Sequence, residues 1–192
     1  MIIPDKRTFI ALPVSLSPGM VTLTDRLKTA LREPGFKWVE HRQMHITLKF
    51  LGDTPVSLLG EISARVGTIV SECEELNGEI NGLAYFSKNG DPSVLFAHLQ
   101  NMPELERMAR RVNESLESLG ILPETKPFKS HLTLARIKFL RDKNRFREII
   151  DAFGKNAVQP VNIREVVFYE SILHSQGPVY RPLQIFALRS RT

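Results

Sequence analysis

The chain has 192 residues, 42% hydrophobic and 24% charged, enough to bury a core in one or two domains and unlike a disordered or fibrous sequence. A single cysteine, Cys73, excludes an internal disulfide framework and a multi-thiolate metal site, and no apolar run approaches the roughly 18 residues of a membrane helix. The net charge of +5 is concentrated: Lys126, Lys129, Arg136, Lys138, Arg141, Lys143, Arg145 and Arg147 face one acid, Asp142, over the same stretch, a field suited to a phosphate-bearing partner.

In chain order, Thr8 to Leu12 reads as a strand. Pro13 cuts this apolar run short and no small-x-small cleavage site follows within Met1 to Met20, so a cytoplasmic protein without a leader is expected. Ser17-Pro18 opens a helix with Met20, Leu23, Leu27 and Leu31 on one stripe: a hydroxyl stands at the cap and proline where its missing N–H is harmless. Gln43 to Leu51 is a strand, and Thr54-Pro55 opens a second helix through Val56, Leu59, Ile62, Val66 and Ile69. Strands follow at Glu79 to Phe86 and Val94 to Leu99, with the Asn89-Gly90-Asp91-Pro92 turn as lobe or hairpin junction. A third helix runs from Pro103 to Gly120, a strand from His131 to Phe139, and a fourth helix from a cap at Asp142 to Gly154. Val161 to Tyr169 and Arg181 to Leu188 close the chain as strands.

The order β, α, β, α, β occurs twice, with one strand left over. The repeat halves, about 7–90 and 91–188, have no Gly- or Ser-rich linker between them, so one bilobed α+β domain with pseudo-two-fold symmetry is expected.

The middle strands of the halves also match in sequence, as His45-Ile-Thr-Leu-Lys-Phe-Leu-Gly52 and His131-Leu-Thr-Leu-Ala-Arg136. Alternation on a strand puts the imidazole and hydroxyl of His-x-Thr on one face and Ile46 or Leu132 on the other. Two of five histidines sharing Thr at +2 and Leu at +3 is, from composition, on the order of a few in ten thousand by chance. Either histidine alone reads as an ordinary strand residue, but the repeated pair points to a groove with two imidazoles and two hydroxyls. Imidazole titrates near neutrality, so one ring can take a proton while the other gives one, as in-line displacement at phosphorus requires. The hydroxyls and nearby cations would hold the non-bridging oxygens. Lys49 shares the parity of His45 and Thr47 and is expected in the groove. Arg136 has the opposite parity to His131 and reaches it only past a bulge or strand end.

Other chemistries fit less well. His41 and His45 have the spacing of a zinc-binding helix, but Arg42 stands where a metalloprotease needs glutamate. No Gly-x-Ser-x-Gly elbow exists, and Cys73 lies among glutamates that would hold its thiol protonated.

The paired motifs resemble the 2H phosphoesterase superfamily and, within it, the RNA 2′,3′-cyclic phosphodiesterases, historically called 2′-5′ RNA ligases. Arg7-Thr-Phe-Ile-Ala-Leu12, Glu170-Ser-Ile-Leu and Gly177-Pro-Val-Tyr180 are similar to that subfamily, so the resemblance covers nearly the whole chain; Ser130 departs from the proline often found before the second histidine. The resemblance implies a LigT-like fold: two pseudo-symmetric lobes, each an antiparallel sheet flanked by helices, with the active-site cleft between them. It implies His131 as proton acceptor, His45 as proton donor, Thr47 and Thr133 on the phosphate with Arg136 assisting, and no metal or other cofactor. Phe9 and Tyr180 are candidates to stack a base, though core packing also suits Phe9. The expected partner is RNA ending in a 2′,3′-cyclic phosphate, tRNA fragments among the candidates, acted on by a monomer with no membrane involved. Reversal with an RNA 5′-hydroxyl would make a 2′-5′ linkage. The basic stretch from Lys126 to Arg147 is expected to guide the strand. A cyclic nucleotide, an ADP-ribose cyclic phosphate or a 2′-5′ oligoadenylate as substrate, or a non-catalytic RNA-end-binding module, are the competing readings.

Overall fold

The computed structural model describes residues 4–124, 126–175 and 177–191; Met1–Ile3 of the N-terminal stretch lie outside the described residues, as do Thr125, Gln176 and Thr192. Nine strands and four helices are described: β1 (Lys6–Pro13), α1 (Pro18–Ala30), β2 (Phe36–Trp38), β3 (His45–Thr54), α2 (Leu59–Ser71), β4 (Leu76–Lys88), β5 (Asp91–Gln100), α3 (Pro103–Leu116), β6 (His131–Ile137), α4 (Lys143–Gly154), β7 (Val158–Ile163), β8 (Glu165–His174) and β9 (Gly177–Ala187). They form two antiparallel sheets, ordered β3-β1-β8-β9 and β2-β6-β5-β4-β7. Among the described residues no helix is long and apolar enough to cross a membrane.

Local chemistry sets most boundaries. Ser17 accepts a hydrogen bond from the Met20 N–H, and Asp142 accepts from Asn144 and Arg145, so both helices start where a side chain satisfies orphan donors. After α3 a 3-10 turn ends at Gly120, whose φ of 77° a side chain would disfavour. Asn89 and Gly90, both with positive φ, make the two-residue β4–β5 turn, a hairpin within one sheet rather than a junction between lobes.

Three elements depart from expectation. Thr54 does not cap α2: it ends β3 with its hydroxyl bonded to Thr8, and a 3-10 turn over Val56–Leu58 intervenes. Val161 to Tyr169 is two strands, β7 and β8, broken at Arg164. β2, three residues long, is too short to leave an alternation signal and exists by pairing with β6.

The sheets correspond strand by strand. β3, β1, β8 and β9 take the order in one that β6, β5, β4 and β7 take in the other. The halves 7–90 and 91–188 therefore do not each own a sheet: β4 crosses into the second, and β8 and β9 complete the first. The helices cross over as well. α2 and α3 pack together, with α2 touching β9 and α3 touching β3, while α1 and α4 pack together with α4 on β4. The apolar sides of both sheets and the helices share one core, including Ile10, Leu12, Ile46, Leu95, Leu132 and Leu134.

Candidate active site

Each His-x-Thr motif opens the strand at the boundary between the sheets, β3 in one and β6 in the other, and the two strands touch. In both strands residues alternate as expected over the first three positions: Ile46 and Leu132 are buried, while His45, Thr47, His131 and Thr133 are partly exposed. Both registers then slip at the same place. Ala11 pairs with Thr47 and Ile10 with Lys49, leaving Leu48 extra; Phe96 pairs with Thr133 and Leu95 with Ala135, leaving Leu134 extra. Two β-bulges at equivalent positions reverse the facing of the residues that follow, on β3 as far as Phe50, after which a second register shift leaves Leu51 extra.

That reversal corrects the placement of Lys49. Its side chain turns away from the groove, is 2% exposed, and its Nζ donates to Asn113 Oδ1 (2.6 Å) on α3 and to the Leu122 carbonyl (2.7 Å). Burial lowers its pKa, opposed by the charges of Glu124 and Glu117. The same bulge on β6 brings Arg136 round to the side of His131 and Thr133, where its charge acts on both imidazoles and on Tyr180. The position equivalent to Arg136 on β3 is Phe50, 42% exposed and stacked on Phe9 with centroids 5.6 Å apart.

The two imidazoles are held alike. His45 Nδ1 lies 2.6 Å from the Gln43 carbonyl and His131 Nδ1 lies 2.7 Å from the Lys129 carbonyl. A carbonyl only accepts, so each ring carries its proton on Nδ1 when neutral and presents the Nε2 lone pair; among the described residues neither Nε2 has a partner. Aromatic rings fix each plane: Phe9 and Tyr180 at 5.1 and 5.3 Å from His45, Phe86 and Phe96 at 5.0 and 5.4 Å from His131. Both pKa values are lowered, chiefly by burial. The carbonyl bonds oppose the shift, Arg136 adds to it at both rings, and His131 adds to it at His45.

Phe9, offered as a stacking surface, is 1% exposed and has no free face; it is the floor on which His45, Phe50, Tyr169 and Tyr180 rest. Tyr180 stands half-buried at a cavity of about 380 Å³ with His45, Tyr169 and Arg42 in its walls. The His41/His45 metal pair is not assembled on a helix: His41 sits in a 3-10 turn with Nε2 2.9 Å from Thr24 Oγ1. Among the described residues no group of three or more His, Cys, Asp or Glu side chains converges as metal ligands would. The basic stretch divides. Lys129 and Arg136 belong to the His131 strand and its approach, but α4 lies against the opposite, core face of the sheet through Phe146 and Ile150, so Arg145 and Arg147 are remote from the groove, and Lys143 is paired with Asp91. Phe50, Tyr169, Phe86 and Phe96 escaped the sequence reading. Phe50 was legible in principle, since it and Arg136 both stand five residues after their histidines.

The family model described as LigT like Phosphoesterase matches residues 10–96 and 99–180. An RNA 2′,3′-cyclic phosphodiesterase of Archaeoglobus fulgidus is 30% identical over 184 residues, 94% of this chain and 99% of that protein. One of Aeropyrum pernix is 32% identical over 167 residues, 85% of this chain and 94% of the relative. The crystal structure of TT0787 of Thermus thermophilus superposes with a TM-score of 0.75 at 27% identity, covering 97% of this chain and 100% of that one. Twin bulged His-x-Thr strands in two matching sheets, a family model spanning most of the sequence and relatives similar from end to end have one common explanation: the chain belongs to the LigT-like phosphoesterase family.

Proposed function

We propose that the chain hydrolyses the 2′,3′-cyclic phosphate end of RNA to a 2′-phosphomonoester. His131 Nε2 takes a proton from water as its oxygen bonds to phosphorus; the bond from phosphorus to O3′ breaks, and His45 Nε2–H delivers a proton to that oxygen. Thr47 and Thr133 hold the non-bridging oxygens, and Arg136 offsets the charge that develops on them. With an RNA 5′-hydroxyl in place of water as the nucleophile, the same displacement breaks the bond to O3′ and the product is a 2′-5′ linkage.

The observation that carries the reading is the matched pair of imidazoles, each with Nδ1–H tied to the carbonyl two residues earlier and Nε2 without a partner among the described residues. A ring fixed in one tautomer with its reactive nitrogen free is prepared for proton transfer rather than for packing. The cyclic phosphodiesterase relatives supply the substrate class.

The test is incubation with EDTA and an oligoribonucleotide ending in a 2′,3′-cyclic phosphate, followed by mapping of the product end. A 2′-phosphate is expected, and His45→Ala and His131→Ala should each lower kcat by about 10²–10⁴ while circular dichroism stays unchanged. A 3′-phosphate would reverse the acid and base, and single variants of near-normal rate would refute the two-histidine mechanism.

A further inference from the structure

The groove face of the first sheet does not end at the residues used above. β1 itself keeps its alternation, because the extra residues at both register shifts belong to β3 and Thr8 to Ala11 pair with β8 without a shift: Lys6 and Thr8 face one way, Lys6 reaching Glu170 and Thr8 reaching Thr54, so Arg7 shares the opposite face with Phe9 and Ala11. Thr8 pairs with Glu170 on β8, which places Arg7 level with the next residue, Ser171, and Ser171 pairs with Tyr180 on β9. Arg7 thus occupies the row of Tyr180, one groove-facing position beyond Phe9. Phe9 pairs with Phe50, the counterpart of Arg136, so Arg7 lies one step farther from the histidines than the Arg136 level, roughly 7 Å along the strand. That step is comparable to the spacing of successive phosphates in an RNA strand.

Arg7 is exposed, and among the described residues it forms no ion pair; Arg136 shares that condition. Arg65, Arg107, Arg111, Arg164 and Arg181 are matched with glutamates, while Arg42, in the wall of the cavity beside His45, also forms no ion pair among the described residues; Arg7 is set apart by its place in the groove-facing row of β1. The charges of the two guanidiniums, carried on different sheets, act on one group: burial raises the Tyr180 phenol above its ordinary pKa, and Arg136 and Arg7 both oppose that rise. An unpaired arginine in line with the phosphate-binding one presents a planar fork suited to a second phosphate.

We propose that Arg7 holds the phosphodiester on the 5′ side of the terminal nucleotide, so that the groove selects RNA ends over free nucleoside cyclic phosphates; this rests on the cyclic-phosphate reading above. His45, His131 and Arg136 act on the terminal phosphorus, and Arg7 anchors the strand one phosphate back.

The experiment compares kcat/KM for a nucleoside 2′,3′-cyclic phosphate with that for a dinucleotide carrying the same end, in the wild-type protein, Arg7→Ala and Arg7→Lys. Arg7→Ala should lower the dinucleotide-to-nucleoside preference about tenfold, with Arg7→Lys keeping part of it. For a dinucleotide whose internal linkage is a neutral methylphosphonate, Arg7→Ala should leave the ratio to the nucleoside where the wild type has it. A preference unchanged by Arg7→Ala, or changed equally with the neutral linkage, overturns the assignment. A wild-type protein inactive on every substrate overturns instead the function on which the assignment rests.

Discussion

The charge state of the two imidazoles governs when the groove can work. Turnover as proposed needs one ring charged and one neutral, and burial with the Arg136 charge lowers both pKa values from the usual 6.5. The singly protonated pair is most populated between the two titrations, so the bell of kcat/KM, which reports the free enzyme, should be centred on the acid side of 6.5. A bound phosphate anion favours the charged form of each ring, and the bell of kcat should lie at higher pH than that of kcat/KM. Arg136→Ala removes a positive charge that lowers both values. Its kcat/KM bell should therefore move toward higher pH even as the maximum falls. The profiles of the wild type and Arg136→Ala decide this; a wild-type kcat/KM bell centred above 6.5, or a variant bell displaced to lower pH, would contradict the electrostatics of the site.

At the scale of the element, the twin bulges decide which side chains meet. Strand parity places His45, Thr47, His131 and Thr133 correctly from sequence because these residues precede the slip, and it misplaces Lys49 because that residue follows it. A bulge is one extra residue accommodated by a partner strand, so it belongs to the pairing and leaves little trace in local composition. Arg136 reaches the groove by the bulge that the spacing requires, and Phe50, at the same spacing on β3, reaches it by the equivalent bulge. Capping residues at Ser17 and Asp142 are legible because their partners are within three positions; the division of β7 from β8 depends on pairing with β4 and β1, far away in the chain. The buried Lys49 gives the element-scale prediction. Lys49→Met retains the packed stem and removes the hydrogen bonds to Asn113 and Leu122 that tie β3 to α3 and the loop after it. Stability should fall by about 1–2 kcal/mol in chemical denaturation, while kcat/KM stays within about twofold. A large loss of activity at unchanged stability would return Lys49 to the groove.

For the whole molecule, the exchange of elements between halves bears on how it unfolds. The repeat is visible in sequence as order and as motif, but the exchange is not, since nothing local to β4, β8 or β9 says which sheet it joins. α1 packs on α4 and α2 on α3, so each helix pair takes one member from each half of the chain. Gln159 on β7 adds a polar link, accepting from the Ser17 N–H at 2.7 Å and donating to the Ser15 carbonyl at 2.8 Å, across the loop that leaves β1. Neither lobe can lose its packing without uncovering the other, and we propose that the chain is one cooperative unit. Trp38, the single tryptophan, sits on β2 in the second sheet, while Leu12, fully buried, packs behind β1 in the first. Denaturation followed by Trp38 fluorescence and by far-ultraviolet circular dichroism should give coincident transitions. Leu12→Ala, a cavity substitution of about 2–5 kcal/mol, should lower the midpoint read at Trp38 by the same amount as that read over the whole backbone. Lobes that fold independently would give a different result: Trp38 would keep its midpoint in Leu12→Ala while circular dichroism split into two steps.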